Sequence, residues 1–160
     1  MKFYLDTSAW VKRYIVETGT QEMDKLFDLA SSDEEDLYSS LWNVGECLGV
    51  FDKRRNRGDL SQDEFKKTIE KFFRETIDLM ERRHLELSPI SGEALIGCWN
   101  TILDEHIYQA DALQLESMRP WGCDALLTGD RKLAEVARGR GYEGICLEKN
   151  QDRKKLDDLL

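Results

Sequence analysis

Paired cysteines, clustered histidines, proline and long apolar runs are all scarce in this sequence, and each scarcity removes a class of protein. The four cysteines, Cys47, Cys98, Cys123 and Cys146, lie far apart with no CxxC spacing, and the two histidines, His84 and His106, are isolated. This excludes a zinc cage of Cys and His and leaves a histidine-based nucleophile without partners. The cysteines read as small buried apolar residues. No segment approaches the roughly 20 apolar residues that a membrane span needs. The opening MKFYLDTSAW has only a very short apolar run before Asp6, without the stretch or cleavage signal of a secretory peptide, so the cytoplasm is the expected location. There is no internal repeat, linker or low-complexity stretch.

What is present suits one self-sufficient globular unit. A chain of 160 residues with 41% hydrophobic and 9% aromatic residues can build its own core. Charged residues make up 34% but are mixed in sign, which is not the pattern of a disordered chain. The net charge of −9 repels a polyanion at long range and so argues against nucleic-acid binding. Bound divalent cations offset part of that charge, and Lys53, Arg54, Arg55 and Arg57 form a local basic run. Where charge sits matters more than its total.

Along the chain, Lys2 to Leu5 reads as a strand ending at Asp6, with Thr7 and Ser8 leading into a helix over AWVKRYI. Met23, Leu26, Phe27 and Ala30 give one face of a second helix from Gly19 to about Ser31. Asp33 to Asp36 reads as a loop and Leu37 to Ser39 as a short strand. A helix follows from about Ser40 to Arg55, ended by Gly58. Ser61 opens a long helix reaching about His84, with Phe65, Ile69, Phe72, Phe73, Ile77 and Met80 as its expected buried stripe. A short strand expected at Leu85 to Leu87 precedes a helix from about Gly92 to Asp104, and another helix runs from about Tyr108 to Met118, stopping before Pro120. Cys123 to Thr128 is the clearest strand, Asp130 to Arg138 the next helix, and Gly144 to Leu147 the last strand. Strands separated by helices predict an α/β fold, a helix-rich three-layer α/β/α sandwich on a mostly parallel sheet. Residues 1–148 form the expected single domain, and 149–160 an expected charged, loosely held tail.

Four carboxylates interrupt this pattern at places where chemistry is found. Asp6 follows the first strand directly, at the sheet edge where open α/β folds place ligands. Asp130 repeats the arrangement after ALLT and Gly129. The plainer alternative is that both simply cap helices. Asp111 falls among Ile107, Leu115 and Met118 at helical spacing, so a carboxylate breaks an apolar stripe, although a first-turn Asp also gains from the helix dipole. Glu46 lies between Trp42 and Val50, with Leu41, Val44, Leu48 and Phe51 on a second apolar face; an exposed Glu is its plainer alternative. If the four converge, two like charges about 4 Å apart repel by about 4 kcal/mol at an effective dielectric near 20. Such a cluster needs cations. All-oxygen ligands suit Mg²⁺ or Mn²⁺, ions that activate water and stabilise charge on a phosphodiester. Thr128 and Ser8, two residues from Asp130 and Asp6, are placed to orient carboxylates or waters.

The segments FYLDTSAWV, SSLWNVGE, QADALQLE and LLTGDRKL, in this order and at these separations, closely resemble the acidic motifs of the PIN-domain family, including its VapC-type toxins. The resemblance runs from Phe3 to about Leu147. It implies that Asp6, Glu46, Asp111 and Asp130 are the catalytic, metal-binding acids, and that Thr128 is the hydroxyl residue beside the last of them. It implies Mg²⁺ or Mn²⁺, an RNA substrate, frequent homodimers and, for toxin members, a small antitoxin partner. The region from about Lys53 to His84 is longer and more charged than in the most compact members, leaving the subfamily open. There Lys53, Arg54, Arg55 and Arg57 stand as candidate RNA contacts, or as a solvated helix end.

Three functional readings compete. The first is a metal-dependent endoribonuclease, either the toxin of a type II toxin–antitoxin pair or a housekeeping RNA-processing nuclease. The second is a catalytically silent binding module with the same fold. The third is a phosphotransfer domain, against which stand Ser8 where a phosphatase of that kind places its second Asp, and Lys132 where a receiver's late Lys is poorly matched.

Overall fold

A computed structural model describes residues 1–160. Five strands, β1 (Lys2–Leu5), β2 (Asp36–Ser40), β3 (Leu85–Ser88), β4 (Ala125–Thr128) and β5 (Glu143–Cys146), pair in the order β3-β2-β1-β4-β5. Every pair is parallel. The two central strands, KFYL in β1 and ALLT in β4, are mainly apolar because both their faces are covered. Alternation then sorts their side chains. Phe3, Leu5, Leu37, Leu85, Ala125, Leu127 and Ile145 point into a core of 20 buried residues on one face. Tyr4, Tyr38 and Leu126 point into a core of 13 on the other. The expected α/β/α sandwich is therefore the fold.

Eight helices flank the sheet: α1 (Thr7–Trp10), α2 (Thr20–Ser31), α3 (Leu41–Arg57), α4 (Gln62–Glu81), α5 (Gly92–Glu105), α6 (Gln109–Met118), α7 (Arg131–Gly139) and α8 (Asn150–Leu159). Local signals set several ends. Ser61 and Glu64 form a reciprocal capping box at the start of α4, and Gly58, at φ 82°, stops α3. The helix expected over AWVKRYI shrinks to four residues and a 3₁₀ turn at Val11–Arg13. There the Thr20 hydroxyl donates to the carbonyls of Lys12 (2.9 Å) and Ile15 (3.3 Å), taking the place of further helical turns.

Other expectations are corrected by packing. The apolar stripe of α4 divides: Phe72, Thr76 and Leu79 are buried, while Phe73, Ile77 and Met80 are exposed, because the helix touches the core along a strip narrower than its apolar face. On α3 the buried positions are Asn43, Cys47 and Phe51, leaving Leu41 and Trp42 exposed. The charged segment after Lys149, expected to be loosely held, is helix α8. Leu156 is fully buried in the first core, Arg153 pairs with Glu22 at 3.0 Å, and Arg138 pairs with Asp152. One apolar anchor and a ring of ion pairs hold what composition alone marks as solvated. The four cysteines are buried and free.

Gly144 shows how tightly α7 lies on the sheet: a Cβ there meets the carbonyl oxygen of Ala134 at 2.0 Å and its carbon at 2.8 Å. Helix backbone cannot give way as a side-chain tip does. Gly144→Ala is expected to lower stability by about 3 kcal/mol or more, read as a drop in the urea midpoint. A midpoint equal to that of the parent shows that α7 does not sit this close.

Candidate active site

The site forms where the strand order changes direction. From β1 the chain adds β2 and β3 on one side and β4 and β5 on the other, so the crevice lies beyond the ends of β1 and β4. Asp6 is the first residue after β1, and its N–H donates to the Leu127 carbonyl at 3.0 Å, fixing it against β4. Its backbone carbonyl starts α1, but its side chain makes no capping bond. Instead the residue is 9% exposed, and its Oδ2 accepts hydrogen bonds from the hydroxyls of Ser8 and, at 2.8 Å, Thr128. Asp130 behaves differently. Its Oδ1 accepts from the Leu133 N–H at 2.9 Å, so the helix cap anticipated as the plainer alternative is real there.

Three of the four acids, Asp6, Glu46 and Asp111, line one cleft of about 370 Å³ with Thr7, Ser8, Gly49, Val50, Lys53, Ala110 and Gln114. Its floor is the end of β1, and its walls are α3 and the first turn of α6. Asp130 lines a second cleft that adjoins the first through Ser8 and Val50 and also holds Lys12, Glu17, Arg54, Gly129 and Glu148. The acids feel one another. Burial pushes the Asp111 carboxyl up to about 6, with Asp130, then Asp6, and last Glu46 adding to the effect as neighbouring negative charges, while the Tyr108 backbone opposes it. Asp6 is raised as well, by burial first and Glu46 later, against the donating hydroxyls of Ser8 and Thr128.

Thr128 ties the two strand ends together. Its hydroxyl donates to Asp6, lies 3.2 Å from the Ser8 hydroxyl, and accepts from the Asp130 N–H at 2.9 Å. The Gly129 N–H completes the turn by donating to Ser8 Oγ at 2.7 Å. Thr128→Val keeps the shape and strips the hydroxyl. It is expected to cost about 1–3 kcal/mol for the groups left unpaired and to lower any metal-dependent activity by about 10–100-fold, checked by melting and by turnover. Full activity with unchanged stability rules out this role.

Two further polar elements escape sequence reasoning. Thr7 donates to Glu46 Oε2 at 2.6 Å, holding that acid towards the cleft. Beneath it, the Asn43 side chain donates to the Leu5 carbonyl (3.0 Å) and to Gln114 Oε1 (2.9 Å), which also accepts from Tyr4 at 3.2 Å. This buried network joins β1, α3 and α6 and so sets the spacing of three acids. Its one sequence signal is that Asn43 keeps helical spacing with Cys47 and Phe51. Likewise α6 is no single stripe: Gln114, Glu116 and Ser117 are buried along with Leu115 and Met118, Glu116 accepting from Thr101 at 2.7 Å.

The basic run separates. Lys53 lines the acidic cleft without an ion pair. Arg54 pairs with Glu17 (2.8 Å) and Asp59 (3.5 Å), and Arg55 pairs with Asp52 and lies over the Phe65 ring at 4.6 Å. Arg57 is exposed at the end of α3. In the second cleft the buried Lys12 is held between Glu17 (3.0 Å) and Glu148 (2.6 Å).

The donor set is oxygen only, which suits Mg²⁺ or Mn²⁺ and not zinc. No three Asp, Glu, His or Cys side chains close into a ready-made cage. The open cleft instead matches the habit of Mg²⁺, which keeps several waters and takes one or two carboxylates together with substrate phosphate. Cys47 offers no rival chemistry, since burial first, and then Asp6 and Glu46, push its thiol well up and keep it protonated.

No helix is long and apolar enough to cross a membrane. Among curated proteins none matches this sequence. Solved structures do. PAE2754 from Pyrobaculum aerophilum is similar at TM-score 0.63 and 16% identity, over 99% of each chain. VapC20 of Mycobacterium tuberculosis, a toxin that cleaves the sarcin-ricin loop, is similar at TM-score 0.60 and 14% identity, over 90% of this chain and 98% of its own. At such identities the likeness is one of fold. The PIN domain family model, however, matches residues 3–139, nearly the whole span from β1 to the end of α7. By that match the chain belongs to the PIN domain family.

Proposed function

We propose that the chain is a metal-dependent endoribonuclease that hydrolyses RNA phosphodiester bonds in the cytoplasm as the toxin of a type II toxin–antitoxin pair. The observation that carries this reading is the shared cleft of Asp6, Glu46 and Asp111, with Asp130 close enough to disturb Asp111. A bound Mg²⁺ or Mn²⁺ supplies a Lewis acid for the phosphoryl oxygen and lowers the pKa of a water molecule. The chain's own part is to hold its acids for that ion. Asp6 offers its carboxylate from the floor and Asp111 from one wall, Thr128 and Ser8 fix the Asp6 carboxylate by donating to it, and Thr7 fixes Glu46. Burial and neighbouring negative charge raise the Asp6 and Asp111 carboxyls in the metal-free site, which is the condition a cation relieves.

The toxin assignment draws on the VapC20 likeness, and with it come a small antitoxin and a homodimer as expected partners. A housekeeping RNA-processing nuclease uses the same cleft, and a silent binding module has no need of all four acids. The test is cleavage of a panel of cellular RNAs by the purified chain with and without Mn²⁺, with Asp6→Asn and Asp111→Asn as controls. Metal-dependent cutting by the parent alone supports the nuclease. Intact RNA throughout overturns it. Slowed growth on expression alone, relieved by the product of a neighbouring short gene, separates toxin from housekeeping enzyme.

A further inference from the structure

We infer that Lys12 is a resident cation that fills the second cleft in place of a divalent ion, so that the chain binds one Mg²⁺ or Mn²⁺, in the cleft of Asp6, Glu46 and Asp111. The inference rests on the metal-dependent reading of that first cleft. The two clefts adjoin through Ser8 and Val50 and carry three acids each: Asp6, Glu46 and Asp111 in one, Glu17, Asp130 and Glu148 in the other. By residue type both suit a hard cation. Their pairing differs. None of the first three acids is in an ion pair, whereas Lys12 Nζ donates to Glu17 Oε1 at 3.0 Å and to Glu148 Oε1 at 2.6 Å, and Arg54 donates to Glu17 Oε2 at 2.8 Å.

The chain fixes Lys12 from several sides. It is 2% exposed and lies on the 3₁₀ turn that follows α1. The Thr20 hydroxyl donates to the Lys12 carbonyl at 2.9 Å and accepts from the Glu17 N–H at 3.0 Å, so one side chain positions both partners of the pair. Gly19, at φ 94°, leaves the room that the lysine stem occupies: a Cβ there lies 3.1 Å from Lys12 Cδ. Taking an ammonium out of water is costly, and apolar replacement of a buried ion pair is often neutral or stabilising. Stability alone therefore does not account for a lysine in this place. What the charge does is clear from its surroundings. An ammonium between two carboxylates uses up their charge and repels a doubly charged ion brought beside it. Asp130 is left as the one acid of the second cleft without an ion pair, and its Oδ1 already caps the Leu133 N–H. A single carboxylate does not make a cage.

The test counts Mn²⁺ bound by the full chain, from the electron paramagnetic resonance signal of the free ion during titration. Wild type is expected to take up one ion per chain. Lys12→Met, which keeps the stem and removes the charge, and Lys12→Gln, which also keeps a donor, are expected to take up two. Adding Glu148→Gln to either returns the count to one. Lys12→Arg keeps the charge and stays at one. A lysine with only a structural role changes stability when removed and adds no ion. Two ions on wild type overturn the inference even if neither neutral variant folds. A count of one in a neutral variant that still unfolds cooperatively overturns it too, as does a second ion on Lys12→Arg. If wild type binds no Mn²⁺, the metal-dependent reading falls with the inference; if wild type and both folded neutral variants each bind one ion, the inference alone falls.

Discussion

Asp111→Asn is expected to lower metal-dependent RNA cleavage by more than about 100-fold, since even residues that only support a metal ligand are worth 10–100-fold. The same change is expected to make the metal-free protein more stable. Burial, then Asp130 and Asp6, push the Asp111 carboxyl up to about 6, whereas in an unfolded chain it ionises near 4. Between those values the folded chain holds a proton that the unfolded chain has released, so metal-free stability falls as pH rises from about 4 to about 6 and stays lower above. Asparagine carries no such proton. Wild type and variant should therefore agree below about pH 4 and differ above about pH 6 by about 1–2 kcal/mol in favour of the variant, after discounting for water around a half-buried group. Mg²⁺ or Mn²⁺ should reverse the order by raising the wild-type Tm through mass action, with little effect on the variant. Cleavage at the wild-type rate, or identical metal-free pH curves, removes Asp111 from the site.

Phe72→Ala is expected to cost about 3–5 kcal/mol, the largest stability loss from any single side chain considered. Phe72 is fully buried, and its ring centroid lies 5.2 Å from that of Trp10, 5.3 Å from Tyr14, 5.5 Å from Phe51 and 5.4 Å from Phe73. Trp10 ends the helix that follows Asp6, and Phe51 lies on the helix that carries Glu46. The ring therefore joins α4 to two elements of the site. Ile77→Ala on the same helix, at a position 53% exposed, is expected to change stability by no more than about 0.5 kcal/mol. Equal losses from the two substitutions contradict the division of the α4 stripe. Chemical denaturation of both variants decides it.

That division marks a boundary of what a linear pattern conveys. Helical spacing groups Phe65, Ile69, Phe72, Phe73, Ile77 and Met80 without distinguishing them, because an amphipathic face states which residues avoid water and not how wide a neighbour will cover them. The same gap separates Asp6 from Asp130. Both follow a strand and head a helix, yet one carboxylate turns to the hydroxyls of Ser8 and Thr128 and the other caps Leu133. The tail shows the converse error. Its charge reads as solvated, but Leu156 and the Arg153–Glu22 pair dock it, and both contacts reach parts of the chain far away in sequence.

By itself the sequence determined the alternation of strands and helices, the parallel sheet that follows from it, and an oxygen-only set of acids at strand and helix ends, because these depend on residue type and short-range spacing. Only the tertiary structure decided which acids share a cleft, that Thr128 bridges the ends of β1 and β4, and that Asn43 and Gln114 hold α3 and α6 at their separation. Strand order and register bring residues more than a hundred positions apart into hydrogen-bond range. No local periodicity encodes that distance.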